Sequence, residues 1–274
     1  MAEITSAAVT SHILMSPRTV EDQAARVFNG MLQIGRHLRA AKPDVLVIVS
    51  SDHLFNIPLG TPARFLIGTG ASLMPFGDMD VPREEFRGYP EFANAFANFA
   101  AASGVAIEPL ERFSPDHGTA VPLMFANPDH DIPVVPVLVN YSRDPTPAPN
   151  ECWQLGETLA RFISVARPAT ERVALLGAGG LSHWVGYAQS RVNEAFDRSF
   201  LAAVTGGELA PWRAKSAAEI EREAGNGGLE IMSWLTVLAA APQSRPEIIY
   251  YEPMVSWMTG MGGALLHLPG HAAQ

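Results

Sequence analysis

Cysteine is nearly absent from this chain. Cys152 is the only one, so no internal disulfide can form and a thiolate metal site is excluded. Long apolar runs are missing too: nothing approaches the ~20 residues that a bilayer span needs. Residues 1–17, MAEITSAAVTSHILMSP, have neither a basic start nor a long apolar stretch. No secretory leader is therefore expected, and the cytoplasm is the expected compartment. Positive charge is scarce. Lys and Arg total 19 against 28 Asp and Glu, a net charge of −9, and they form no cluster. This argues against nucleic acid and anionic membranes as partners. It also means that an anionic ligand would need positive charge supplied locally, as a bound metal cation would do. Repeats, low-complexity tracts and convincing linkers are absent.

What remains is a chain of 274 residues, 47% hydrophobic and 17% charged, long enough for one large α/β domain. Residues 1–274 are read as a single domain. The apolar start to Val9 is a first strand, reaching His12. Over Thr19–Ala41 the residues Val20, Ala24, Val27, Met31, Ile34 and Leu38 recur at three- and four-residue steps, an amphipathic helix that Thr19 or Ser16 could cap. Val45–Val49 is a second buried strand, running into Asp52 and His53. Strand, helix, strand implies a parallel pair. Further strands are expected at Phe65–Ile67, Val105–Leu110, Ile132–Val139 and Ile248–Tyr251. Pro133 and Pro136 favour an edge or irregular position for the third of these. Helices are expected at Pro90–Ala102, Ala120–Phe125, from an Asn150 cap to Ala166, and over Gln189–Val204, Ala217–Glu223 and Leu229–Ala240. Met254–Leu266 reads as a helix or packed loop. The fold expectation is an α/β domain with a largely parallel central sheet flanked by helices.

The most informative stretch is Val173–Trp184, VALLGAGGLSHW. A charge-free strand breaks into Gly177, Gly179 and Gly180 and then delivers His183. Open α/β sheets bind ligands at the carboxyl ends of their strands. Four histidines lie at such ends or in loops: His12, His53, His117 and His183. His37, His130, His267 and His271 do not, and read as structural. Without thiols a metal here would be held by nitrogen and oxygen, two histidines and a carboxylate leaving open positions. Asp52, Glu230 and Glu252 are the candidate carboxylates. Asp52 adjoins His53, and strand neighbours face opposite ways. Glu230 follows a glycine break that permits close approach to another element. Glu252 precedes Pro253 after a strand. Other motifs fail: Ser182 stands at the third glycine position of the dinucleotide fingerprint, Trp184 spoils a nucleophile elbow, and no Walker lysine is present.

Five of these pieces occur in a shared order: Ser11-His12, Ser51-Asp52-His53, Asp116-His117-Gly118, Gly179-Gly180-Leu181-Ser182-His183, and Ala224-Gly225 through Glu230 to Trp234. In this the chain resembles, over nearly its whole length, the class III extradiol ring-cleavage dioxygenases, the group of the protocatechuate 4,5-dioxygenase beta subunit and 2,3-dihydroxyphenylpropionate 1,2-dioxygenase. The resemblance implies a non-haem Fe(II) cofactor held by His12, His53 and Glu230. It implies His183 as the active-site base and His117 as an assisting proton donor. The implied reaction opens a catechol beside its diol with dioxygen, giving a semialdehyde acid. Histidine suits proton transfer because its unperturbed pKa, about 6.5, is close to working pH. The glycines before His183 would let the catechol approach the backbone, and specificity would lie in Phe55–Arg87 and Met254–Gly263. A homo-oligomer is expected, with a small accessory subunit left open. The rival readings are a metal-dependent hydrolase on the same ligands and a non-catalytic partner subunit.

Overall fold

Strands buried on both faces read as unbroken apolar runs, because alternate residues serve two separate cores. Val45, Val47 and Val49 point to one side of the sheet and Leu46 and Ile48 to the other. Val173 and Leu175 are set against Ala174 and Leu176 in the same way. The computed structural model describes residues 2–53, 56–57, 62–187 and 191–270. In chain order it runs β1 (Glu3–Thr10), α1 (Glu21–Ala40), β2 (Val45–Ser50), β3 (Phe65–Gly68), β4 (Ser72–Leu73), β5 (Phe86–Arg87), α2 (Pro90–Ala102), β6 (Glu108–Leu110), α3 (His117–Ala126), β7 (Val134–Val139), α4 (Pro149–Ala166), β8 (Arg172–Ala178), α5 (Glu194–Gly206), α6 (Ala210–Ala214), α7 (Ala217–Ala224), α8 (Ile231–Ala240), β9 (Arg245–Met254) and β10 (Thr259–His267).

Among the described residues the main sheet has eight strands, in the order β6-β3-β7-β2-β8-β1-β10-β9. Its centre, β7-β2-β8-β1, is parallel throughout. β1 and β2 are parallel, as expected, but β8 lies between them. Antiparallel contacts join β3 to β7 and add the β9–β10 hairpin beside β1. Helices α1 and α3 cover one face, and α2, α4, α5 and α8 the other. The architecture is the expected α/β sheet flanked by helices. No helix among the described residues is long and apolar enough to cross a membrane.

Several local expectations are corrected. β7 is interior, not an edge, despite its prolines. Its ladder with β3 runs only from Val137 to Val139, so Pro136 falls where that pairing has ended, beside Gly68. A Cβ on Gly68 would lie 2.6 Å from the Pro136 ring. Met254–Leu266 is mostly β10, paired on both sides. Its glycines hid the strand, since glycine weakens strand propensity, yet Gly263 leaves room for the Tyr250 ring and Gly262 for Leu181. Neither Thr19 nor Ser16 caps α1, and Thr19 has a positive φ of 73°. Asn150 does not cap α4: Glu151 accepts from the Ala148 N–H instead, and Asn150 accepts from Arg213. The start of the expected Gln189–Val204 helix lies outside the described residues, and α5 begins at Glu194.

Two contacts tie this frame to the sheet's carboxyl edge. Asp197 of α5 is fully buried and accepts from the Ser182 N–H at 2.8 Å and the Tyr251 hydroxyl at 2.9 Å. Gly156 of α4 lies against α8, where a Cβ would come within 2.0 Å of the Thr236 carbonyl oxygen.

Each contact generates a prediction. Alanine in a helix interior is ordinarily better than glycine by ~1 kcal/mol. At position 156 the overlap with backbone outweighs that gain, and Gly156→Ala should destabilise by about 1–3 kcal/mol in urea unfolding. A raised urea midpoint would show that α4 and α8 are not in this contact. For Asp197, burial pushes the carboxyl up from 3.8 to about 6. The folded chain therefore holds this proton more tightly than the unfolded chain. The contribution is complete below the unfolded value and lost as pH rises through the folded one. Asp197→Asn should reduce the stability difference between about pH 4 and about pH 7 by on the order of 2 kcal/mol. Equal pH slopes in the two proteins would contradict the buried, protonatable carboxyl.

Candidate metal centre

Five elements bring their chemistry to one place. His12 lies two residues beyond β1, His53 three beyond β2 and His183 five beyond β8. All three are therefore delivered to the carboxyl edge of the parallel centre. His117 opens α3, whose first turn is capped by the Asp116 carboxylate accepting from the Gly118 N–H. Glu230 stands where a 3-10 turn, Asn226–Glu230, runs into α8. It is 2% exposed.

Glu230 is the hub. One carboxylate oxygen lies 3.5 Å from His12 Nε2. The other lies 3.3 Å from His53 Nε2 and 3.9 Å from His183 Nε2. The Gly180 N–H donates to the oxygen that faces His12, and the Ser51 hydroxyl approaches the other at 3.5 Å. Burial by itself disfavours the carboxylate, but the rings of His12, His183 and His53 outweigh burial and hold Glu230 below the ordinary carboxylate range. His12 has no exposed surface. Among the described residues neither of its ring nitrogens has a hydrogen-bond partner, and burial pushes it down to about 3. His53 shifts the other way. Burial opposes its charge, but hydrogen bonds to Asp116 and Glu230 raise it to about 10. A cation between His53 and Glu230 would reverse this, by taking over the carboxylate's attraction.

These features fit a metal ion. A neutral, buried imidazole with both nitrogens unpartnered is costly unless something binds it. Ligand atoms ~2.1 Å from a common ion stand about 3–3.5 Å apart in octahedral or tetrahedral geometry. The Glu230 distances to His12 and His53 meet that. His12, His53 and His117 also form a cluster, with ligand atoms up to 4.8 Å apart, a wider set than the one around Glu230. His53 has its other ring nitrogen, Nδ1, 3.1 Å from Asp116, the orienting contact common beside metal-binding histidines.

The other two histidines are oriented by different partners. His183 Nδ1–H donates to the Leu181 carbonyl at 2.9 Å, leaving Nε2 facing Glu230. Its backbone N–H donates to Ala224, and its carbonyl accepts from Gly227. His117 stacks on His53 with centroids 4.0 Å apart, and its Nδ1 is 2.5 Å from Asp78. Asp78 could not have been anticipated, because it reaches the site from a glycine- and proline-rich excursion with no pattern of its own. Asp116 belonged to a recognised motif, but its side chain serves His53 rather than the adjacent His117.

The remaining candidates lie elsewhere. Asp52 accepts from the backbone N–H groups of Asn56 and Ile57, and Glu252 pairs with Arg26 and Gln23. His130 stacks on Phe86, and His267 pairs with Glu247. His37 packs against His267. His271 lies outside the described residues. The glycines before His183 have a different use from the one expected. A Cβ on Gly179 would meet the Glu230 backbone at 2.4 Å, and one on Gly180 would meet the His183 ring at 2.8 Å. A Cβ on Gly227 would fall 1.9 Å from His183 Nε2. The glycines let Glu230 and His183 close on each other.

A cavity of about 390 Å³ opens beside this cluster, lined by His53, Tyr141, Val185, Gly227, Leu229 and Glu230 among others. Among the described residues neither Phe55–Arg87 nor Met254–Gly263 lines it. The second of these is held in and beside the β9–β10 hairpin. A larger hollow of about 600 Å³, near Arg64 and Glu108, contains no histidine.

Comparison with known proteins agrees with this geometry. The family described as the catalytic LigB subunit of aromatic ring-opening dioxygenase matches residues 6–262. The 2,3-dihydroxyphenylpropionate/2,3-dihydroxicinnamic acid 1,2-dioxygenase of Klebsiella pneumoniae (strain 342) is 27% identical over 281 residues, covering 83% of this chain and 86% of its own. The enzyme of the same name from Escherichia coli O81 (strain ED1a) is 27% identical over 284 residues, covering 85% and 89%. A crystal structure of an uncharacterized protein, JW3007, from Escherichia coli K12 is similar with a TM-score of 0.63 at 19% identity, covering 95% of this chain and 99% of that one. That likeness concerns the fold alone. With the family match spanning most of its length, the chain belongs to the LigB family of aromatic ring-opening dioxygenases, the class III extradiol group.

Proposed function

We propose that the chain is a single-domain, Fe(II)-dependent extradiol dioxygenase acting on a catecholic substrate. The carrying observation is the buried Glu230 carboxylate among His12, His53 and His183, with neither His12 nitrogen hydrogen-bonded among the described residues. His12, His53 and Glu230 would hold the ion. When bound, iron supplies a centre at which catechol and dioxygen meet and between which electrons can pass. Family membership favours this oxygenase chemistry over a hydrolase using the same ligands.

The chain's own groups handle the protons. His183 has its Nδ1–H committed to Leu181, so Nε2 is the nitrogen free to accept a proton from a catechol hydroxyl. Asp78 fixes an N–H at Nδ1 of His117, so His117 exchanges protons at Nε2. One histidine takes a proton as the diol binds, and the other can return one as the ring opens. The Leu229 and Val185 side chains supply apolar wall for an aromatic ring. One catechol and one dioxygen give one ring-opened semialdehyde acid, with both oxygen atoms retained in the product.

The test separates ligands from base. Protein loaded with Fe(II) without air should yield a yellow product when a catechol and then air are added. His12→Ala and Glu230→Ala should lose the iron. His183→Ala should keep it while turnover falls by about 10²–10⁴-fold. Full iron occupancy in both ligand variants would sink the assignment.

A further inference from the structure

Four adjacent parallel strands, β7, β2, β8 and β1, end at the same edge of the sheet. Three of them deliver the histidines already described. The fourth, β7, ends at Val139 and delivers Tyr141 two residues later, the same offset that places His12 after β1. Tyr141 is 9% exposed and lines the cavity with His53 and Glu230. Its ring therefore sits in the row of chemistry-bearing side chains.

Its hydroxyl is the anomaly. Glu230 and Ser51 are close by, yet among the described residues no hydrogen bond closes on it. Leaving a buried hydroxyl unpartnered costs about 1–3 kcal/mol. Packing alone would be served by phenylalanine without that cost. The segment is also held in place. The Asn140 N–H donates to the Arg64 carbonyl at 2.9 Å, and its side-chain amide donates to the Ala63 carbonyl at 2.8 Å. The Ser142 hydroxyl donates to the Asp52 carbonyl at 2.9 Å, tying this strand end to the one that carries His53. The hydroxyl is thus held at a fixed place beside Glu230 and Ser51, out of full hydrogen-bond geometry with either.

We propose that Tyr141 is a substrate-binding residue, its hydroxyl donating a hydrogen bond to a diol oxygen of the catechol held beside His53 and Glu230. This rests on the dioxygenase reading for the identity of the ligand, and on the strand-end geometry for the contact. The occupant it calls for is a diol, because a diol oxygen presents an acceptor to a phenol donor whether or not it is ionised. The bond orients the ring before dioxygen arrives, so its loss should appear in binding.

The test is a binding titration that needs no turnover. Fe(II)-loaded wild type and Tyr141→Phe are titrated without air against 4-nitrocatechol, whose absorbance changes with its ionisation. Iron content and urea midpoint are measured alongside. The variant should keep its iron and bind 4-nitrocatechol about three- to tenfold more weakly, the range expected for one lost hydrogen bond. Binding unchanged within twofold overturns the proposal. So does loss of iron in the variant, which would place the hydroxyl's role with Glu230 instead of the substrate. A wild type that binds no catechol overturns both the proposal and the dioxygenase reading. A wild type that binds 4-nitrocatechol but opens no catechol ring under air overturns only the latter, and the titration still decides the Tyr141 contact.

Discussion

A carboxylate without water needs company, and the site is built around that constraint. Removing Glu230 from solvent costs several kcal/mol if its charge is left uncompensated. The surroundings provide three imidazole rings and the Gly180 N–H. Each is within reach only because the backbone is bare where it matters. Gly179 admits the Glu230 main chain, and Gly227 admits the His183 ring. Buried charge, close-packed glycines and convergent histidines are aspects of a single requirement.

The sheet explains why these groups arrive from distant parts of the chain. Parallel strands all point one way, so successive strand–helix units return their loops to the same edge. The central quartet supplies the edge, and α8, packed on one face of the sheet, begins there with Glu230 just before its first turn. The hairpin on the far side of β1 contributes no group to the cavity among the described residues. It helps to support the His183 turn through the Thr259 bridge and the Tyr251–Asp197 contact. Ordering the site from rigid elements suits a reaction in which a metal, a diol and a base must be held in register.

Much of this was legible in the sequence, for identifiable reasons. His12, His53 and His183 follow apolar runs that could only be buried strands, so their convergence was readable once the strands were taken as parallel. Glu230 stood out by the glycines before it. Other features were not legible. Pro136 looked like an edge residue because a sequence does not show where a ladder ends. The three glycines of β10 mask a strand stabilised by tertiary contacts rather than propensity. Asp78 and Tyr141 carry no local pattern at all. A carboxylate in an irregular excursion and a tyrosine after a strand are ordinary until the fold reveals what they face. The use of the glycines ahead of His183 is not legible either, since sequence shows that a close approach occurs but not what approaches.

One contact separates the site into parts held by different kinds of backbone. His12, His53 and His183 follow directly on strands of the sheet, and Glu230 runs straight into α8. His117 instead takes its orientation from Asp78, which lies in the irregular excursion between β3 and α2. Such excursions ordinarily drift in length and composition with little consequence. This one cannot drift freely. Insertions on either side leave the His117 ring in place only if a carboxylate still reaches it, so the segment acts as a tether.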